Sequence, residues 1–458
     1  MGPLLLKLMI IGLVALLLGV MLEQVADLVH EREARYQDVN REIGSLWGGD
    51  QTLEGPLLAI PYGRPAQVTG AGTIPQAGVL YFLPEQLEVK AGVEPQLRHR
   101  GLFQSVVYSL DTHLKARFLL PTRADLDAVV DDAGDDEIVL LWESAFIALG
   151  VSDMRSIGDL VELQAGSERL PFVPGSRVPD LLPSGMSVNL PVDVDVFNRG
   201  MLDVVIDLKL NGSGAVNVLP LGRQTRVEIE STWPSPKFIG AYLPESREID
   251  AGGFTARWSL SYFGRDYGQV LHSEHLSDSV RSQLRASAFG VELYQPVTPY
   301  RKVERAIKYG LLFVVFTFGL YFIIELVTGR RIHPVQYATV GVPLCLFYLM
   351  LVAFAEHIGF VPAYVLGASS IIALIGLYSL SVLRGLRKAL LIMLSLVGLY
   401  GYLYTLLEQE SYSLLWGSLG LLLLTAGFMY GTRNVDWYAS ETRSGDGGTA
   451  DQEEFNHA

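Results

Sequence analysis

The sequence predicts an α+β multi-pass membrane protein with three parts. These are an N-terminal transmembrane helix, a large β-rich, sandwich-like domain outside the cytoplasm, and a C-terminal bundle of five transmembrane helices. Half of the 458 residues are hydrophobic and only 18% are charged, with a mean hydropathy of +0.30. The charge is segregated: residues 23–300 hold 38 acidic and 23 basic side chains, a net −15, against +1 for the rest. Six apolar runs, one near the start and five near the end, are long enough to cross a bilayer.

That balance excludes a disordered chain and fits an ordinary soluble enzyme poorly. A formal charge of −14 argues against a nucleic-acid binder, because phosphate affinity comes from clustered Lys and Arg. A single cysteine, Cys345, excludes a disulfide framework and a cysteine-based zinc cluster.

Residues 1–22 form the first expected segment. Leu8–Leu22 is apolar or glycine throughout, and Leu4–Leu6 extend it if Lys7 snorkels to the interface. A cleaved signal peptide is the rival reading, but Met21-Leu22-Glu23-Gln24 is a poor cleavage site, so the run reads as an uncleaved anchor. Over 23–47, Val25, Leu28, Tyr36, Val39, Ile43 and Leu46 recur every three or four residues. This predicts a helix continuing out of the bilayer and ending near Gly44, Gly48 and Gly49.

From Gly55 the period switches to two, and residues 48–300 read as short strands between turns. Examples are Leu57–Tyr62, Val79–Phe82, Ser105–Leu110, Ile138–Trp142, Val204–Leu210, Arg226–Glu230 and Ala256–Tyr262. Leu83-Pro84-Glu85-Gln86-Leu87-Glu88-Val89-Lys90-Ala91-Gly92 echoes Leu243-Pro244-Glu245-Ser246-Arg247-Glu248-Ile249-Asp250-Ala251-Gly252. The echo suggests two related β modules, 48–170 and 185–300, separated by the proline-rich stretch 166–188. Arg100-Gly101 with Leu120-Pro121 echoes Arg199-Gly200 with Leu219-Pro220 at a different offset, so both echoes cannot mark one simple duplication.

Residues 301–433 hold the bundle: Tyr309–Val327, Val335–Phe354, Phe360–Leu383, Ala389–Leu407 and Tyr412–Gly431. None shows the polar stripe of a soluble core helix, and in hydrocarbon such runs must be helical to satisfy their own amides. Arg330, Arg331, Arg384, Arg387, Lys388 and Arg433 follow the second, fourth and sixth spans. The alternate loops carry Glu356, Glu408 and Glu410. That asymmetry places both termini in the cytoplasm and residues 23–308 outside. Arg301, Lys302, Arg305 and Lys308 run against the rule and are expected to meet anionic headgroups. Residues 434–458 read as a largely disordered cytoplasmic tail.

Catalytic signatures are missing. No Gly-rich phosphate loop and no nucleophile elbow occurs. His272-Ser273-Glu274-His275 lacks zincin spacing and reads as a solvated surface. The acidic run 131–137 lacks the alternating oxygen ligands of a calcium loop and reads as a hydrated turn. No catalytic residue, cofactor or metal is therefore expected. Glu356 and His357 are the most functional-looking pair, suited to sensing pH or holding a cation. The plainer reading is a polar turn between helices, with Phe360 as an interfacial anchor. Glu325 lies two residues from the end of its span, and Arg433 and Asp436 are spaced to pair. Ser369, Ser370, Ser395 and Thr317 are the polar groups read at the centres of the spans, where they would serve helix packing.

These segments resemble the CreD family of bacterial inner-membrane proteins. The most specific stretch runs from His333-Pro334-Val335-Gln336-Tyr337 through Phe347-Tyr348 to Glu356-His357-Ile358-Gly359-Phe360 and Ala363-Tyr364. Glu31-Arg32, Trp47-Gly48, Gly55-Pro56, Phe238-Ile239-Gly240, Gly253-Phe254, Lys308-Tyr309 and Asp436-Trp437-Tyr438 also fit. The resemblance implies an inner-membrane protein with a periplasmic domain, linked to envelope integrity, colicin tolerance and a sensor-kinase system, without assigned catalytic residues. The expected partners are the lipid bilayer and a periplasmic protein, lipid or cell-wall component, and not nucleic acid. The alternative is a transporter or channel with the helix bundle as translocation unit.

Overall fold

The computed structural model describes residues 3–63, 76–101, 103–120, 139–190, 200–265, 267–274, 276–293, 299–328, 332–409 and 413–433. Helix α1 is Pro3–Trp47. Strands follow: β1 Gln51–Gly63, β2 Gln76–Phe82, β3 Gln86–Arg100, β4 Phe103–Leu119, β5 Val139–Leu140 and β6 Phe146–Val151. Next come β7 Glu162–Ala165, β8 Glu168–Pro171, β9 Val173–Pro174, β10 Gly185–Asn189, β11 Met201–Ser213 and β12 Ala215–Val218. The β region closes with β13 Gln224–Ser231, β14 Pro236–Gly240, β15 Ser246–Asp250, β16 Gly253–Ser261, β17 Val270–His272, helix α2 Asp278–Ala286 and β18 Phe289–Leu293. Six helices end the chain: α3 Pro299–Lys308, α4 Gly310–Thr328, α5 Pro334–Ile358, α6 Phe360–Leu383, α7 Leu386–Glu408 and α8 Ser413–Thr432. By contacts the chain forms two compact units, 1–36 with 297–458, and 37–296.

In the helical unit, α1, α4, α5, α6 and α7 are long and apolar enough to cross a membrane, and α8 carries a shorter apolar stretch, Leu415–Gly427. At 1.5 Å per residue α1 is about 68 Å long, well beyond a ~30 Å hydrocarbon core. The helix runs through Gly44 to Trp47, and Gly48 and Gly49 turn the chain with φ of 121° and 64°. Gly341 on α5 admits α1, because a Cβ there would collide with a Leu18 methyl. Helix α5 starts with a capping box. Its N-cap His333 side chain accepts from the Val335 N–H, and Gln336 Oε1 accepts from the His333 N–H.

The β unit is a sandwich of two sheets. The ten-stranded sheet orders β14-β18-β12-β1-β6-β10-β9, with β2, β5 and β17 joined at its side. The eight-stranded sheet orders β15-β16-β13-β3-β4-β11-β7-β8. One hydrophobic core, with Leu58, Tyr108, Phe118, Ile206, Trp258 and Phe289, fills the space between them. Among the described strands, two pairings are parallel: β1 with β12 and β3 with β13. Both parallel pairs, and the antiparallel pair β2-β17, join strands from 51–213 to strands from 215–293. Strands from both sides of the proline-rich stretch 166–188 share each sheet, since β10 pairs with β6 and β11 with β4.

The two sheets differ in what covers them, and their sequences differ accordingly. β1 from Gly55 onward and β6 are buried on both faces and read as continuous apolar runs, because α2 and the 176–182 loop pack a second cluster on the outside. β3, β4, β11 and β13 alternate buried and exposed residues, because one face meets water. The repeated Leu-Pro-Glu has a structural counterpart. The Glu85 N–H donates to Arg117 O at 2.7 Å and the Glu245 N–H to Arg257 O at 2.9 Å. In both places the motif starts the first strand of a hairpin, β3-β4 and β15-β16.

Candidate functional site: polar clusters at the two ends of the helical unit

An ionised group near hydrocarbon is stable only with a partner. Glu325 on α4 has two. The Lys7 ammonium of α1 pairs with it, and the Tyr337 hydroxyl of α5 donates to Glu325 Oε2 at 3.0 Å. Lys7 also donates to the Ile332 carbonyl at 2.6 Å and lies 5.9 Å from the Tyr337 ring centroid. Side-chain exposure is 17% for Lys7 and 11% for Glu325, so this is a nearly buried ion pair joining three helices. Lys7, expected to snorkel into water, instead turns onto the bundle.

A second cluster forms around α3, which lies just ahead of the first predicted span of the bundle. Its apolar face buries Tyr300, Val303, Ala306 and Ile307. Its polar residues take partners on four other helices or on α3 itself. Tyr300 OH donates to Glu356 Oε1 at 2.9 Å, and its ring lies 6.1 Å from that of Tyr36. Burial, and then the neighbouring Glu356 carboxylate, push the Tyr300 phenol above its ordinary pKa. Arg301 lies 3.7 Å from Glu33 on α1. Lys302 donates to Glu408 on α7 at 2.9 Å and stands 5.2 Å over the Phe360 ring. Arg305 donates to the carbonyls of Leu406 and Gln409, at 3.3 and 3.0 Å, closing the exposed end of α7. Lys308 meets Glu304 at 2.9 Å, with His30 at 3.7 Å on its other side. Lys308, by its hydrogen bond, holds the Glu304 carboxyl below its usual range. The four cations expected at lipid headgroups therefore have protein partners.

Glu356 and His357 are adjacent in sequence but act apart. The His357 ring nitrogen Nδ1 lies 2.9 Å from the Ala353 carbonyl of its own helix, and the side chain is exposed. Gly359, at φ 80°, makes the corner between α5 and α6, and Phe360 is buried beneath Lys302 rather than anchored in lipid. Arg433 stacks on Tyr430, 4.0 Å from its ring centroid. Its expected partner Asp436 lies outside the described residues, as do the acidic run 131–137, His275 and the tail. Ser273 and Glu274 are tied into the β unit: Ser273 Oγ accepts from the Val79 N–H and Glu274 from Tyr62 OH, both at 2.9 Å. Among the described residues, no group of three or more His, Cys, Asp or Glu side chains is placed to hold a metal ion.

Ser369 and Ser370 point outward and bond to the Leu366 carbonyl, so they do not pack helices together. Thr317 is buried as expected, and among the described residues the interior hydroxyls also include Tyr321, Tyr337, Tyr348, Tyr364, Tyr400 and Ser379. A tyrosine near the middle of an apolar run, away from the interfacial belt, was the signal for them.

The β unit offers one broad surface. Over the outer face of the eight-stranded sheet lies an open groove of about 970 Å³. It is lined by Glu94, Glu230, Glu248 and Asp250 with Lys90 and His113, and floored at Gly92 and Gly253. Beside it, Arg117 bonds Asp203 at 2.7 Å and His113 meets Asp207 at 2.6 Å. On the opposite sheet, Glu54 lies among Leu57, Leu182 and Leu221, with Arg285 at the rim. Burial raises its carboxyl pKa, more than Arg285 lowers it.

The family model described as "Inner membrane protein CreD" matches residues 3–438. The Inner membrane protein CreD of Escherichia coli (strain K12) is 31% identical over 433 residues, 93% of this chain and 91% of that protein.

Proposed function

The chain belongs to the CreD family of inner membrane proteins, and on that premise we propose that it supports bacterial cell-envelope integrity, in the setting of envelope stress and colicin tolerance. In this reading the β-rich domain lies in the periplasm and binds or scaffolds a protein, lipid or cell-wall partner without catalysing a reaction. One observation carries it: the sandwich covers both faces of one sheet but leaves the other face open as a charged groove. A solvated face is ordinary for such a sheet, but a concave groove lined by Glu94, Glu230, Glu248 and Asp250 gives a partner both shape and charge to dock on.

The orientation fits the same reading. Arg384, Arg387 and Lys388 follow α6, while Glu356 and Glu408 lie at the opposite ends of α5 and α7. Both termini then lie in the cytoplasm and residues 23–308 outside.

The test replaces groove acids without disturbing the core. Cells carrying Glu230→Lys with Glu248→Lys, at unchanged membrane levels, should lose the envelope phenotype, as should cells with 48–295 deleted. Full colicin tolerance in both strains would overturn the reading. The alternative, a transporter or channel, draws on the polar clusters of the helical unit. Substrate-dependent flux in proteoliposomes that is lost on substituting Glu325, Glu356 and His357 would favour it.

A further inference from the structure

Hydrocarbon offers a hydroxyl no hydrogen-bond partner, so a phenol inside a membrane bundle must bond to protein or to trapped water. Three interior tyrosines bond to protein. Tyr337 donates to Glu325, Tyr321 pairs with Ser379, and Tyr364 OH donates to the Tyr400 carbonyl at 2.6 Å. Three other hydroxyls do not. Among the described residues, Tyr348 OH, Tyr400 OH and Thr317 Oγ1 have no hydrogen-bond partner. Their residues are 1%, 2% and 1% exposed.

These orphans are grouped. The Phe347 ring centroid lies 5.0 Å from that of Tyr348 and 4.7 Å from that of Tyr400, so the two phenols flank one side chain. Phe313, one turn from Thr317 on α4, lies 5.1 Å from Tyr400. Helices α4, α5 and α7 thus each bring an unsatisfied hydroxyl to neighbouring layers of one core.

We propose that this part of the bundle is a binding site for ordered water, held by Tyr348 and Tyr400 with Thr317 as a third partner. The chemistry selects water. All three groups are neutral, and each hydroxyl both donates and accepts, which suits the two to four bonds of a buried water. The nearby Cys345 thiol is turned away, 3.7 Å from the Leu18 carbonyl. Lys7, Glu325 and Glu356 are engaged in the polar clusters described above, and none of them is a partner of these hydroxyls, so no ion is called for. Water here would give the bundle a hydrated interior, a property an anchor does not need. It stands independently of what the β unit binds.

The test uses the full-length protein in lipid nanodiscs and X-ray radiolytic labelling, in which bound water is converted to hydroxyl radical and oxidises its neighbours. Tyr348 and Tyr400 should label several-fold faster than Tyr321, which is equally buried but bonded to Ser379. Labelling no faster than Tyr321 would overturn the proposal. A second measurement gives a sign. Tyr348→Phe and Tyr400→Phe should each lower Tm, and the double variant should lose less than the sum, because the shared water is lost once. A raised Tm in either single variant means that a dry, unsatisfied hydroxyl was removed, and this also overturns the proposal.

Discussion

Lys7 and Glu325 each neutralise a charge that hydrocarbon would not tolerate alone. Removing one partner therefore costs more than removing both. Lys7→Met should destabilise the helical unit by about 3–5 kcal/mol, while Lys7→Met with Glu325→Leu should recover most of the loss. Thermal unfolding in detergent measures both, and equal losses in the two variants would show that the pair contributes only packing. Glu54 presents the reverse case. Its carboxyl pKa is raised by burial, so the folded state favours the protonated form. That contribution is fully present below the unfolded carboxylate range and is lost as pH rises through the folded value. Glu54→Gln should accordingly raise the Tm of the β unit at neutral pH and leave it nearly unchanged in mild acid. A constant offset at all pH values would locate the effect in packing instead.

Helix α3 shows how a short amphipathic element organises longer ones. Its ten residues reach α1, α5 and α7 through six polar contacts of 2.9–3.7 Å, and α6 through Lys302 over the Phe360 ring, while its apolar face is buried. The exposed ion pairs among these contribute little singly and weaken with salt. The end of α7 depends more on Arg305, whose guanidinium satisfies carbonyls that the helix cannot. Arg305→Gln should cost about 1 kcal/mol and speed amide exchange over Leu403–Gln409, with the rest of the unit unaffected. At the packing of α1 on α5, Gly341→Leu should force the helices apart at a cost of about 1–3 kcal/mol. Cys345, buried beside Leu18, reports this directly: its maleimide reactivity should rise in the variant. Neither contact is visible in hydropathy. α3 reads as a cluster of misplaced positive charge until its partners on four helices are known.

The long apolar helices and the strand-rich middle were legible because each depends on composition summed over many residues. The observed helices fall within a few residues of the expected runs. Leu57–Tyr62 reads as a strand of period two, yet β1 from Gly55 to Gly63 is buried on both faces, which depends on α2 and the 176–182 loop packing over it. The internal echo reports local similarity, whereas the pairing of β10 with β6 and of β11 with β4 is non-local and leaves no mark in it. The orientation makes a prediction for the complete molecule. Alkaline phosphatase fused after residue 293 should be active, and fused after residue 384 or 433 inactive, with the opposite pattern reversing the topology.

Residue order alone settles which solvent each stretch meets, since the free energy of a span or a solvated face is a sum over its own side chains. It does not settle which polar groups find one another. Lys7 and Glu325 are 318 positions apart, and Tyr300 and Glu356 are 56. No local pattern marks one as the partner of the other. Those pairings, and the unpaired hydroxyls of Tyr348 and Tyr400, exist only once the helices have packed and water has been excluded from between them.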